Sequence, residues 1–190
     1  DPGAGLCRPC PAGHACANGT QAPCGAADKY SAAGASKCTT VPAGFFSTPE
    51  TGDPTTRTGY AVCPAGTYCT GGIKAPCGSP DKYSSAAGAT ACSTVSSGYY
   101  STPETGNSNT RTGQARCPAG TYCTGGTKAP CGSPNKYSSS GATACTTVSR
   151  GHYSTGGDSS TRTGQAQCPA GTYCTGGIKA NCGSANKYSA

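Results

Sequence analysis

Cys117-Pro118-Ala119-Gly120-Thr121-Tyr122-Cys123-Thr124-Gly125-Gly126-Thr127-Lys128-Ala129-Pro130-Cys131 is the stretch whose reading decides the fold. It returns almost letter for letter at Cys63–Cys77 and Cys168–Cys182, and more loosely at Cys10–Cys24. A chain that repeats one cysteine-studded phrase is an array of small units, because self-similarity at a fixed period is the signature of repeat architecture.

Around that phrase the composition is poor in material for a core. The large aliphatic and Phe side chains are Leu6, Val41, Phe45, Phe46, Val62, Ile73, Val95, Val148 and Ile178. Burying so few does not offset the entropy of ordering 190 residues. The 16 cysteines supply the alternative, since disulfides replace a core in small extracellular modules. Tyr, present 11 times, adds rings that pack while their hydroxyls stay wet.

Cysteine at this density implies an oxidising location: extracellular, secreted or at the cell surface. The chain opens at Asp1 without an apolar leader, and the expectation is that a signal peptide was removed or lies outside this window. No apolar run reaches the length of a membrane span. The net charge of +7 is spread as single Lys and Arg residues, a solubilising surface without the clusters that nucleic acid requires.

The cysteines can be framed in two ways. Sixteen divide into four quartets: Cys7/Cys10/Cys16/Cys24, Cys38/Cys63/Cys69/Cys77, Cys92/Cys117/Cys123/Cys131 and Cys145/Cys168/Cys174/Cys182. Four cysteines allow three connectivities. Joining neighbours would force Cys7–Cys10 into a tight ring, which favours the crossed pattern of first to third and second to fourth. That gives Cys7–Cys16 with Cys10–Cys24, Cys38–Cys69 with Cys63–Cys77, Cys92–Cys123 with Cys117–Cys131, and Cys145–Cys174 with Cys168–Cys182. A rival frame, pairing Cys24 with Cys38 and so on, stays open. The quartets set four modules: 1–37 with its lead-in, 38–91, 92–144, and 145–190, which stops in mid-phrase and suggests a window on a longer array.

A smaller echo runs inside the large one. Pro-Ala-Gly-Thr-Tyr-Cys resembles Pro42-Ala43-Gly44-Phe45-Phe46-Ser47, Ser97-Gly98-Tyr99-Tyr100-Ser101 and Arg150-Gly151-His152-Tyr153-Ser154. Lys-Tyr-Ser at 29–31, 82–84, 136–138 and 187–189 is a third variant. Each reads as a tight turn leading into a short extended stretch, with the ring laid over the neighbouring cystine. Helical periodicity is absent. The expected fold is a set of small disulfide-rich repeat modules, mostly turns, loops and short two-stranded β-ribbons in an elongated tandem array with almost no helix.

Cys7-Arg8-Pro9-Cys10-Pro11-Ala12-Gly13 and Cys63-Pro64-Ala65-Gly66-Thr67-Tyr68 carry a resemblance to the ephrin-receptor-like cysteine-rich repeat, a relative of TNF-receptor-like modules. It covers nearly the whole chain, with two departures. Cys-x-x-Cys occurs once, and later units insert a long Ser/Thr-rich loop. The resemblance implies an extracellular stalk, as in surface or ciliary filament (mastigoneme-like) proteins of unicellular eukaryotes.

Candidate sites are weighed against plain structural roles. Structural zinc needs paired hooks, and only Cys7/Cys10 has that spacing; His14 and His152 occupy the aromatic slot of the repeat, so no metal is expected. No nucleophile stands beside a base outside the repeat, so neither catalysis nor a cofactor is expected. Arg57, Arg111 and Arg162 share Thr-Arg-Thr-Gly and read as loop arginines covering their own carbonyls or pairing with Glu50 or Glu104, rather than as a ligand patch. The Ser/Thr-rich loops have the composition of O-glycosylated stalks, with candidates Thr48, Thr51, Thr55, Thr56, Thr102, Thr105, Thr110, Ser159 and Thr161. Asn18-Gly19-Thr20 is an N-glycosylation sequon.

These features together read as a structural subunit of an extracellular or cell-surface filament or stalk, partnered by copies of itself or neighbouring repeats and by covalent glycans. The alternative is a ligand-binding or adhesive ectodomain with one divergent unit.

Overall fold

The computed structural model describes residues 8–183. Within them the chain forms ten two-stranded antiparallel sheets and one short 3-10 turn, Ser108–Thr110. The first three sheets are β1 (His14–Ala17) with β2 (Thr20–Pro23), β3 (Lys29–Tyr30) with β4 (Thr39–Thr40), and β5 (Phe45–Thr48) with β6 (Gly59–Val62). The next three are β7 (Thr67–Thr70) with β8 (Ile73–Pro76), β9 (Lys82–Tyr83) with β10 (Ser93–Thr94), and β11 (Tyr99–Thr102) with β12 (Gly113–Arg116). Then come β13 (Thr121–Thr124) with β14 (Thr127–Pro130), β15 (Lys136–Tyr137) with β16 (Thr146–Thr147), and β17 (His152–Thr155) with β18 (Gly164–Gln167). The last pair is β19 (Thr172–Thr175) with β20 (Ile178–Asn181).

Local chemistry explains the three kinds of hairpin. The opening phrase makes the tight one. Pro118-Ala119-Gly120-Thr121 is a turn closed by Thr121 N–H on Pro118 O at 3.2 Å, with Gly120 at φ +83 in the third position. That is the type II requirement for glycine. Thr121 Oγ1 donates to the same carbonyl at 2.7 Å. The strands that follow are joined by Gly125 (φ +56) and Gly126 (φ +73), and two positive φ values in succession are what a type I′ hairpin demands. In the first unit Asn18 (φ +52) and Gly19 (φ +77) fill the same places. The second kind follows Lys-Tyr, with two-residue strands. The third follows the aromatic echo and carries the Ser/Thr-rich loop.

The disulfides correct the crossed pairing. Cys10 bonds Cys16, Cys63 bonds Cys69, Cys117 bonds Cys123 and Cys168 bonds Cys174. Cys24 bonds Cys38, Cys77 bonds Cys92 and Cys131 bonds Cys145. The rival frame is therefore the one observed. The reason is local: the type II turn folds Cys63 back beside Cys69, bringing their Cα atoms to 5.7 Å, inside the ordinary cystine range. The expected partners Cys7 and Cys16, Cys10 and Cys24, Cys38 and Cys69, Cys63 and Cys77, Cys92 and Cys123, Cys117 and Cys131, and Cys145 and Cys174 are thereby committed elsewhere, except Cys7, which lies outside the described residues. Cys182 has no disulfide partner among the described residues. The expected module boundaries at 37/38, 91/92 and 144/145 each fall between two bonded cysteines.

These cystines are the core. Cys63, Cys69 and Cys117 are fully buried, and Phe46 packs in one cluster with Cys63 and Cys69. That contact is the ring against a neighbouring cystine anticipated from the echo.

By contacts the chain forms two compact units. One holds residues up to Ser79 with Tyr83–Ser93 and Asn107–Thr112; the other holds Pro80–Lys82, Thr94–Gly106 and Gly113 onward. One bond organises both. In the first unit the N–H of the Ser or Cys in each echo donates to the loop of the next hairpin: Cys16 to Ala35, Ser31 to Arg57, Ser47 to Gly72, Cys69 to Ala89 and Ser84 to Arg111, all at 2.8–3.1 Å. In the second, Ser101 donates to Gly126, Cys123 to Ala142, Ser138 to Arg162 and Ser154 to Gly177, at 2.9–3.1 Å. The echo serines Ser31, Ser47, Ser84, Ser101, Ser138 and Ser154 are buried accordingly. Each hydroxyl is satisfied on a backbone carbonyl, as burial of a polar group requires.

Candidate functional site

The Ser/Thr-rich loops are the places where side chains other than cysteine organise structure. The loop from Ser47 to Gly59 begins on the buried Ser47, whose N–H and Oγ both donate to Gly72 O. Asp53 then closes a local turn, accepting from the N–H and Oγ1 of Thr55 at 2.8 and 2.7 Å. These bonds hold its carboxyl below the usual carboxylate range. Arg57 turns inward and is 8 % exposed. Its guanidinium donates to the carbonyls of Pro49, Glu50 and Thr51. A planar fork spreads its donors over separate nitrogens and so spans carbonyls that an ammonium would have to serve from a single atom. Arg57 is thus the loop's internal strut, one of the two plain roles expected for it.

Glu50 pairs elsewhere. Its carboxylate takes Lys74 at 2.7 Å, and Lys74 lies over the Phe46 ring at 4.7 Å from the centroid. A polar cavity of about 110 Å³ sits at this junction of Phe46, Ser47, Glu50, Arg57 and Lys74. In the second repeat Lys128 pairs with Glu104 at 2.9 Å and lies over Tyr100 at 4.6 Å. Its hydrogen bond to Glu104 raises the Lys128 pKa. Arg111 is as buried as Arg57.

The third loop is shorter and chemically different. Gly156-Gly157 stands where the others have Pro-Glu-Thr-Gly. Arg162 donates to Gly156 and Gly157 carbonyls at 3.4 and 3.2 Å, so the strut survives. Asp158 accepts from both N–H and hydroxyl of Ser160 and Thr161, and these bonds depress its pKa to about 2. Lys179 keeps its place over Tyr153 at 4.6 Å, but no carboxylate pairs with it among the described residues.

The other expected residues are scattered over the surface. Among the sugar candidates Asn18, Thr51, Thr105 and Ser159 are exposed, and Thr48 and Thr102 are half-buried. The hydroxyls of Thr55, Thr56, Thr110 and Thr161 are engaged in the loop turns. His14 and His152 sit in the aromatic slot, with Nδ1 on the carbonyls of Ala12 and Arg150. Sequence reasoning missed Lys74, Lys128 and Lys179. Their recurrence after each Gly-Gly turn was visible, but the carboxylate partners of Lys74 and Lys128 lie 24 residues upstream in another hairpin.

Two grooves of one design lie beside the Gly-Gly turns. One, of about 350 Å³, is walled by Asp81, Thr94–Ser97, Tyr99 and the turn Thr124–Gly126. The other, of about 320 Å³, is walled by Asn135, Thr147–His152 and the turn Thr175–Gly177. Among the described residues no helix is long and apolar enough to cross a membrane. The chain is a cysteine-rich repeat protein of disulfide-closed hairpins, the chemistry of a secreted or extracellular protein. No known protein-family model matches it, and no curated protein does either.

Proposed function

We propose that this protein is a non-enzymatic structural subunit of an extracellular or cell-surface filament or stalk, built in the manner of the ephrin-receptor-like and TNF-receptor-like cysteine-rich repeats. The observation that carries the reading is the bond to the next hairpin's loop that recurs at every echo Ser or Cys from Cys16 to Ser154. A fixed bond repeated from hairpin to hairpin presents equivalent surfaces at a regular step, and equivalent surfaces are what neighbouring copies need to assemble. Local disulfides stand in for an apolar core, so the module tolerates full exposure. Exposed Asn18, Thr51, Thr105 and Ser159 would carry the glycans of a hydrated exterior, and the ciliary surface is one setting for such an appendage.

Electron microscopy of the purified native protein tests this directly. Filaments of constant width support the reading; discrete particles at all concentrations overturn it.

A further inference from the structure

The two grooves beside the Gly-Gly turns invite a position-by-position comparison, because the repeat holds their backbone constant. Val95 and Val148 correspond, as do Ser96 and Ser149, whose N–H groups donate to the same brace: Gln114 Oε1 at 2.7 Å and Gln165 Oε1 at 2.8 Å. Gln Nε2 closes the brace on each Ser Oγ at 3.1 Å. Three wall positions differ. Asp81 becomes Asn135, Ser97 becomes Arg150, and Tyr99 becomes His152. In the first repeat these places hold Asp28, Ala43 and Phe45. One groove therefore loses its only acid and gains a guanidinium and an imidazole. The loss of the third loop's glutamate, which leaves Lys179 without a carboxylate partner among the described residues, moves the same repeat in the same direction.

The imidazole is oriented. Its Nδ1 lies 3.2 Å from Arg150 O, and since a carbonyl only accepts, Nδ1 carries the proton. In the neutral ring Nε2 is then an acceptor. The groove thus offers a carboxylate-binding fork at Arg150, an acceptor for a hydroxyl at His152, and the amide of Asn135 and hydroxyls of Thr147 and Thr175. We propose that this groove binds an acidic sugar residue, a ring bearing hydroxyls and one carboxylate. An acidic peptide would satisfy Arg150 but must bring a hydroxyl for His152 from a separate residue, whereas a sugar acid carries both groups on one ring. The volume of about 320 Å³ is at the small end of ligand pockets, fitting one sugar unit rather than a folded partner. This site is additional to the filament reading and does not depend on it.

The test is a titration of the full, oxidised chain with glucuronate, followed by NMR. Chemical-shift changes at Asn135, Arg150 and His152, absent with glucose, support the site. Arg150→Ser copies the neighbouring groove and so preserves the fold; it should weaken glucuronate binding at least about fivefold, the loss of a charge-assisted pair. The triple exchange Asp81→Asn, Ser97→Arg and Tyr99→His should create a second site and move the stoichiometry from one to two. Equal responses to glucose and glucuronate, or unchanged binding in Arg150→Ser, overturn the proposal. So does a glutamate-rich peptide that binds where glucuronate does not.

Discussion

Gly126 and Gly125 are neighbours in one turn, and replacing each by Ala separates the cost of backbone conformation from the cost of packing between hairpins. Both glycines have positive φ, +56 and +73, so either alanine carries the steric cost of a left-handed residue, about 1–2 kcal/mol. There the resemblance ends. Nothing lies within 4 Å of a Cβ built on Gly125. A Cβ on Gly126 would stand 2.0 Å from Pro80 O and 2.7 Å from Asp81 Cα, both backbone atoms that cannot swing aside. The turn must retreat by about an ångström, an overpacking that costs roughly 1–3 kcal/mol. Retreat also stretches the bonds that Gly126 O accepts from Ser101 N–H and Oγ, at 2.9 and 3.1 Å, each worth about 0.5–1.5 kcal/mol. Gly126→Ala should therefore be about 3 kcal/mol less stable than Gly125→Ala. Urea unfolding of the oxidised chain, followed by tyrosine near-ultraviolet circular dichroism, measures the difference. Equal losses in the two variants, within about 0.5 kcal/mol, would refute the hairpin-to-hairpin ladder as the organising contact.

Arg57→Ala should destabilise by about 2 kcal/mol and speed proteolysis within residues 49–58, since it strips three carbonyls of their shared donor; Arg57→Lys should not restore protection. Glu104→Gln, by contrast, should shift the urea midpoint by less than about 1 kcal/mol, because the pair with Lys128 is partly exposed. The same variant should lower the Lys128 pKa toward its ordinary value, read by NMR. For Asp158 the folded pKa is depressed to about 2, so its stabilisation of the third loop is present above the ordinary carboxylate range and is lost as pH falls through about 2. Carboxyl NMR should show that midpoint. Asp158→Asn should keep the loop, as Asn107 does in the second repeat, while removing the acid dependence.

Much of this was legible because repetition amplifies weak signals. A single Gly-x-aromatic-Ser is uninformative, but its recurrence marked each first strand of the long-loop hairpins, while the Gly-Gly and Asn-Gly pairs that make the tight turns went unread. Of the two plain roles read for Arg57, covering its loop's carbonyls or pairing with a glutamate, the first is observed, because a loop of free carbonyls gives an isolated arginine an obvious use. The disulfide frame was not legible from counting. The quartet frame itself was misplaced: it overlooked the turn at Pro64–Thr67, which makes a separation of six residues fit Cys63 and Cys69. Also hidden were the buried echo serines. Their burial follows from a bond to another hairpin, and no local pattern distinguishes Ser47, inside, from Thr51, outside. The lysine sites depended likewise on contacts between hairpins.

Peptide mapping without reduction is the most direct measurement of the central claim, that the cystines are local, joining each cysteine to its neighbour six or 14–15 residues away. Trypsin cuts after Arg57, Lys74, Lys82 and Arg111, releasing residues 58–74 with Cys63 and Cys69, 75–82 with Cys77, and 83–111 with Cys92. The account predicts an internal disulfide in the first fragment and a linked pair of the other two. Fragment 75–82 joined instead to 58–74, or the three recovered as free thiols, would contradict it.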